Sequence, residues 1–420
     1  MGKMADYLSQ IFTGIRKTNY QVFFTKESKM QVENKENCTG CGACFNICPK
    51  NAITMQGDEY GFYKPVIDKE KCVNCGLCEK VCVLGKYKSN NFSEPKVFAL
   101  INTDEIRAKS TSGGAFSAFA DYISEQNGIV YGVIWDENVR AVHYRAVTAD
   151  EIEKIHGSKY VQSNTKDTFK QAKNDLESGK KVLFSGTPCQ IAGLKSYLQK
   201  DYENLITIDL VCHGAQSPLV FEKYKKEFMQ KRPNEKLLNI NFRSKHKGWR
   251  TQYLTHNTDI TTGGTNIIVE CDPWIYLMNH TFNTSCCACE FSKLPRVADI
   301  TIGDFWGVDE YDSSLNDDKG TSVVLVNNEN GLSVLSKIDK TCKIVEIPLA
   351  AAIKKNPNIY KSSSPHRKRK EVLDEICKNN KTFSDCAKKY LKEPLYMQIY
   401  YRLPQFAKDF IKYKILRKEK

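Results

Sequence analysis

Two cysteine runs with the same spacing, Cys38–Cys41–Cys44–Cys48 and Cys72–Cys75–Cys78–Cys82, constrain this chain more than any other feature. Each reads C-x2-C-x2-C-x3-C, and Pro49 follows the first. Three thiolates that close together reach three irons of one 4Fe–4S cube, because a short loop can curl around it. The fourth lies a helical step further on and ligates the other cube. The spacing therefore assigns Cys38, Cys41, Cys44 and Cys82 to one cube, and Cys72, Cys75, Cys78 and Cys48 to the second. Gly40, Gly42 and Gly76 stand between ligands, where backbone N–H groups can approach sulfur and tune the potential. Structural zinc explains the pattern poorly, since four ligands per site give no use for a regularly spaced third cysteine. Val83 stands where proline usually follows the second run, a departure that removes no ligand.

This is the framework of a two-cluster ferredoxin, but 420 residues are far more than such a module needs. About two or three domains are expected. No apolar stretch approaches the ~18 residues of a membrane span, and the first thirty residues lack the apolar core of a secretory signal. With 17 cysteines, the chain is expected in a reducing cytoplasm. The net charge of +13 is unevenly placed: from Lys354 to Lys420 there are 19 Lys/Arg against 7 Asp/Glu, so the rest is nearly neutral. A neutral body argues against a nucleic-acid face. The basicity belongs to a tail.

Four regions follow: a leader (1–32), the two-cluster module (33–84), an α/β domain (96–350) and a basic, partly amphipathic helical tail (354–420). The fold class expected is a ferredoxin-like α+β 2×(4Fe–4S) module, then an α/β domain with a mainly parallel sheet. Residues 52–55 and 61–66 read as short strands of the first module, and polar residues 85–95 as a linker. Beyond it, strands (97–101, 128–134, 181–185, 205–211) alternate with helices (115–126, 165–178, and one through Tyr197), the pattern of a parallel sheet. Such sheets bind ligands at the carboxyl ends of their strands.

The unusual residues fall at those ends. One strand runs into Gly186-Thr187-Pro188-Cys189, the next into Cys212-His213-Gly214, and Cys286, Cys287 and Cys289 cluster later. Cys189, Cys212 and the C-x2-C pair Cys286 and Cys289 make four thiolates, enough for a third cube. Cys287 competes with Cys286, which is preferred for its spacing. Cys271 lies near in sequence; Cys342, Cys377 and Cys386 read as ordinary apolar residues. Ser112-Gly113-Gly114 before a helix suits either a phosphate or a plain cap. It lacks both the lysine of a P-loop and the full nicotinamide fingerprint. Residues 298–307 deliver Asp304, Phe305 and Trp306 to one turn, either as core with a capping aspartate or as the wall of a planar redox cofactor. Ser158-Lys159-Tyr160 places a cation beside an aromatic ring; such a lysine can stabilise a reduced flavin or simply be solvated.

In the tail, Ile399, Leu403, Phe406, Phe410, Tyr413 and Leu416 recur at steps of three and four among lysines. This basic stripe suits either a peripheral contact with an anionic membrane or packing on the body.

The stretches 112–117, 157–163, 186–193, 212–214 and 298–307 together resemble the beta subunit of coenzyme F-420 hydrogenase/dehydrogenase, in a branch with a fused ferredoxin often associated with bacterial polysaccharide biosynthesis. The resemblance implies FAD, a 4Fe–4S cluster held by Cys189, Cys212, Cys286 and Cys289, and hydride exchange with a deazaflavin. It makes Ser112, Gly113, Gly114, Ser158, Lys159, Tyr160 and Asp304 flavin-site candidates. The chain is thus expected to be an iron–sulfur flavoprotein oxidoreductase relaying electrons between ferredoxin-type clusters and FAD. Its partner would be a redox protein or a small hydride carrier, not nucleic acid. The alternative is a non-catalytic electron-transfer subunit feeding a partner enzyme.

Overall fold

The computed structural model describes residues 32, 36–246, 248–250, 253–259, 265–270, 274, 277–338 and 340–391. The leader apart from Val32, Cys271 and the apolar stripe of 399–416 lie outside the described residues. In the cysteine-rich module, helix α1 (Ala43–Ile47), strands β1 (Ile53–Gly57) and β2 (Tyr63–Ile67) and helix α2 (Leu77–Lys80) form a two-fold repeat. The strands pair antiparallel, Ile53 opposite Ile67. Both residues bury against Val32 and the Cys78 side chain, so the small core is built from the cysteine loops themselves.

The remaining strands are β3 (Lys96–Ile101), β4 (Ile129–Trp135), β5 (Ala141–Ala146), β6 (Val182–Gly186), β7 (Leu205–Leu210), β8 (Lys236–Ser244), β9 (Tyr253–Asp259), β10 (Thr265–Glu270), β11 (Ile300–Asp304), β12 (Ser322–Val326) and β13 (Lys343–Ile347). Eight of them form one sheet in the order β13-β3-β12-β11-β7-β6-β4-β5. The central strands β11, β7, β6 and β4 are mutually parallel, while β12, β3 and β13 on one side and β5 on the other pair antiparallel. The expectation of a mainly parallel sheet holds at the centre and fails at the flanks. At the β5 edge the physical reason is connection length: β4 and β5 are joined by a short turn, which only an antiparallel pair permits.

The central strands are buried on both faces, as parallel strands must be. Leu183 faces helix α3 (Ala115–Ser124) and helix Glu329–Ile338, whereas its neighbours Val182 and Phe184 face helices α4 (Thr168–Glu177) and α5 (Pro188–Leu198). Strands β8, β9 and β10 form a separate antiparallel sheet that the alternation of the sequence did not announce.

Residues 85–95 are fastened rather than loose: the Asn91 amide donates to the carbonyls of Arg296 and Ala298 at 2.9 and 2.8 Å. The tail is not separate from the body throughout, because Val372, Leu373, Ile376 and Phe383 bury with Phe221, Tyr224 and Trp274. Apolar side chains at helical spacing leave water when a matching face exists. Among the described residues no helix is long and apolar enough to cross a membrane.

Candidate functional site

The eight cysteines of the first module fall into two groups in space. Cys41 and Cys44 interact electrostatically with Cys38 and with Cys82, the distant fourth member. Cys48 meets Cys72, Cys75 and Cys78 around a small cavity closed by Pro49, Ile53 and Ile67. Burial pushes the Cys41 thiol up to about 12 and Cys44 well above its ordinary value, with neighbouring sulfurs adding to the rise. Buried thiols this close give up their protons only when positive charge is placed among them. Backbone N–H groups already point at sulfur, Gly40 to Cys38 at 3.4 Å and Ala52 to Cys48 at 3.3 Å. Gly40 has φ 69°, and a β-carbon there would strike the carbonyl of Tyr63 at 2.5 Å. Only glycine fits that turn.

The module is docked on the α/β domain by specific groups. Gln162, buried, accepts from the Tyr63 N–H at 2.8 Å and donates to the Thr39 carbonyl at 3.1 Å. The Asn46 amide reaches the Lys166 carbonyl at 2.9 Å. The Ser196 hydroxyl on α5 donates to the Val81 carbonyl at 2.9 Å, beside Cys82. Cys41 lies on Gly193 of the same helix; a β-carbon there would stand 3.0 Å from the Cys41 sulfur. Gly193 is one turn from Cys189, so Cys41 rests on the helix that opens with Cys189.

Cys189, Cys212, Cys286 and Cys289 do converge. Cys189 feels Cys289, Cys212 and Cys286, and Cys212 feels Cys289. Burial, reinforced by these neighbours, lifts Cys212 to about 11, Cys286 to about 12 and Cys189 well above its ordinary value. The Ala215 N–H donates to the Cys286 sulfur at 3.3 Å. Cys287 turns instead toward the Asn283 carbonyl. Among the described residues no cysteine takes part in a disulfide, and no three His, Cys, Asp or Glu side chains converge on a single metal ion. Four thiols that converge loosely suit a cube, in which each thiolate meets a different iron. The strand bearing Cys212 is anchored by Arg296 and Asp209, an ion pair at 3.1 Å with both side chains fully buried; Arg296 also donates to the Leu210 carbonyl.

The flavin candidates fall into two groups. Asp304 accepts from Arg243 at 3.0 Å and from the Trp249 indole at 2.9 Å. Trp249 stacks on Trp306 at 5.2 Å, and Arg243 lies over the Trp306 ring. Tyr160 interacts with Arg243 and Ser158, and Ser158 bonds to Thr111 beside Ser112. Ser112, Ser158, Tyr160 and Asp304 therefore share one region, centred on Arg243. Gly113, Gly114 and Lys159 have structural partners. The Gly113 N–H donates to Ser322 at 2.9 Å, and Gly114 opens α3 with φ 83°. The Lys159 amine donates to the carbonyls of Lys154, Ile155 and His156 at 2.8–3.0 Å, capping a helix C-terminus. Burial pulls its pKa down to about 7. Sequence reasoning missed Arg243, because nothing in 236–244 marks an arginine on an antiparallel strand as special. It missed Gln162 because a docking amide has no sequence signature.

Residues 37–85 match the 4Fe-4S dicluster domain, and residues 179–351 match the family described as the C terminus of the beta subunit of coenzyme F420 hydrogenase/dehydrogenase. Over residues 179–351 the chain is thus similar to that beta-subunit family, with a 4Fe–4S dicluster module ahead of the matched region. The family region takes in Cys189, Cys212, Cys286, Cys289, Arg243 and Asp304, while Ser112–Gly114 and Ser158–Tyr160 precede it. Among solved structures, a chain of the F420-reducing [NiFe] hydrogenase complex from Methanosarcina barkeri is 18% identical. It aligns over 72% of this chain and 93% of its own length, with a TM-score of 0.41. No curated protein matches the chain. The two matches together point to electron transfer of the oxidoreductase type.

Proposed function

We propose that the chain is an iron–sulfur flavoprotein that relays electrons between its two ferredoxin cubes, a third cube and FAD, with a deazaflavin-like or other organic molecule as hydride partner. The observation that carries this reading is the seating of Cys41 on Gly193, one turn from Cys189. It leaves no intervening layer of protein between the module's inner cube and the cysteines of the α/β domain. Cys189, Cys212, Cys286 and Cys289 would hold the third cube; all four are half-buried and free of disulfides, which fits a group that takes them as thiolates. Ser112, Ser158, Tyr160 and Asp304 would line the flavin site, with Arg243 orienting the Asp304 carboxylate and Trp306 supplying an aromatic wall. Gly113, Gly114 and Lys159 would hold the backbone of that site in place. A bound flavin supplies the conversion between single electrons and a hydride.

Anaerobic purification followed by iron, sulfide and flavin analysis tests the proposal. About twelve irons with one FAD per chain supports it. About eight irons without flavin supports the second reading, a non-catalytic subunit passing electrons to a partner enzyme, for which the extensive docking of the ferredoxin module speaks equally. Reduction of a deazaflavin or a nicotinamide by the loaded protein then identifies the hydride partner.

A further inference from the structure

The segment that follows the matched family region, Ser362 to Arg369, closes over the third group of cysteines. The Ser362 hydroxyl donates to the Cys287 carbonyl at 3.2 Å and the Ser363 hydroxyl to the His213 carbonyl at 2.6 Å. His366 packs its ring on His280 at 3.7 Å. Arg369 ends the segment. Its Nε donates to the Phe282 carbonyl at 2.6 Å, while Nη2 is buried without a hydrogen-bond partner among the described residues. Phe282 in turn pairs with Gln216, just past Cys212, and packs with Cys286 around Gly214. The guanidinium interacts electrostatically with Cys286 and Cys287. A buried guanidinium N–H left without an acceptor is costly unless a negative group faces it. A four-thiolate cube is such a group, since it carries net negative charge in both redox states and gains one more negative charge on reduction.

We propose that Arg369 is the charge-setting residue of the cube held by Cys189, Cys212, Cys286 and Cys289: its fixed positive charge favours the reduced, more negative state and so raises that cube's reduction potential. This rests on the third cube proposed above. Burial and nearby charge are recognised levers on cluster potential, and a guanidinium stays charged at every accessible pH. Arg369 lies beyond the matched family region.

The experiment is a spectroscopic redox titration of anaerobic, iron-loaded protein with dithionite as electron donor. The signal of the third cube is the one lost in Cys212→Ala. In Arg369→Gln that signal should move to more negative potential. At the poise where the parent is half reduced, the ratio of reduced to oxidised cube should fall roughly tenfold. The two ferredoxin cubes should not move, and Arg369→Lys should recover most of the shift. An unmoved third signal in Arg369→Gln, or equal shifts for Gln and Lys, overturns the proposal. Should Arg369→Gln not accumulate as folded protein, Ser362→Ala combined with Ser363→Ala loosens the segment while keeping its charge. A smaller negative shift is then expected, and no shift overturns the proposal. If Cys212→Ala loses no iron and no signal, the third-cube reading itself fails, and that result is separate from any result at Arg369.

Discussion

Cys212 and Asp304 leave the sheet side by side. Strands β7 and β11 run parallel with Leu210 paired to Ile302, and the Val211 N–H donates to the Ile302 carbonyl at 2.9 Å. The same register continued by two residues sets a candidate cluster ligand next to a candidate flavin contact at the carboxyl edge, where open α/β sheets bind their ligands. Neighbouring strands are roughly 4.8 Å apart, so the two strand ends lie close together. Gly303 makes this possible, since a β-carbon there would meet Val211 at 2.8 Å.

Cysteine substitutions should divide by location. Cys212→Ala or Cys286→Ala should remove about four of about twelve irons per chain, while Cys287→Ala should remove none. Iron and sulfide analysis of anaerobic protein checks this, and equal losses for Cys286→Ala and Cys287→Ala would contradict the ligand set.

Gly193→Val should push Cys41 off helix α5. Overpacking of this kind costs about 1–3 kcal/mol, read as a lower denaturation midpoint. The ferredoxin cubes should still reduce with dithionite, but their re-oxidation by the α/β domain should slow in stopped-flow spectra. Gly193→Ala, which asks the neighbours to yield only slightly, should show a milder form of both effects.

Asp304→Ala should leave the Arg243 guanidinium and the Trp249 indole without their acceptor. Breaking a pair whose side chains are only 8% and 11% exposed costs about 3 kcal/mol. Bound flavin, measured by absorbance after denaturation, should fall together with the melting temperature. Asp304→Asn retains an acceptor for Trp249 and should be intermediate in stability.

Acid should destabilise the fold before carboxylates titrate. Burial holds His143 down to about 4 and His256 to about 3. Both are neutral in the folded chain at pH values where the unfolded chain, with histidine pKa near 6.5, binds protons. Stability from this source is complete above about pH 6.5 and falls as pH drops toward 4, by on the order of 1–3 kcal/mol per histidine. Denaturant midpoints from pH 7.5 to 5 measure it. His143→Gln should flatten the slope, and an unchanged slope would assign the acid loss to other groups.

The cysteine runs alone pointed to the 4Fe–4S dicluster module, because ligand geometry is written in spacing along a short loop. Alternating strand and helix patterns likewise exposed the central parallel strands, whose two buried faces demand continuous apolar runs. Tertiary structure decided the rest. Cys189, Cys212 and Cys286 are separated by tens of residues; the parallel register of β6 and β7 aligns the ends that lead to the first two, and the Phe282–Gln216 bridge with the Ala215 N–H on the Cys286 sulfur brings in the third. Arg243, Gln162, Gly193 and Arg369 matter through what they touch, and a contact between distant segments leaves no periodic mark in a sequence. Lys159 shows the converse: its motif looked like a cofactor contact, and a helix end three residues upstream had already claimed its protons.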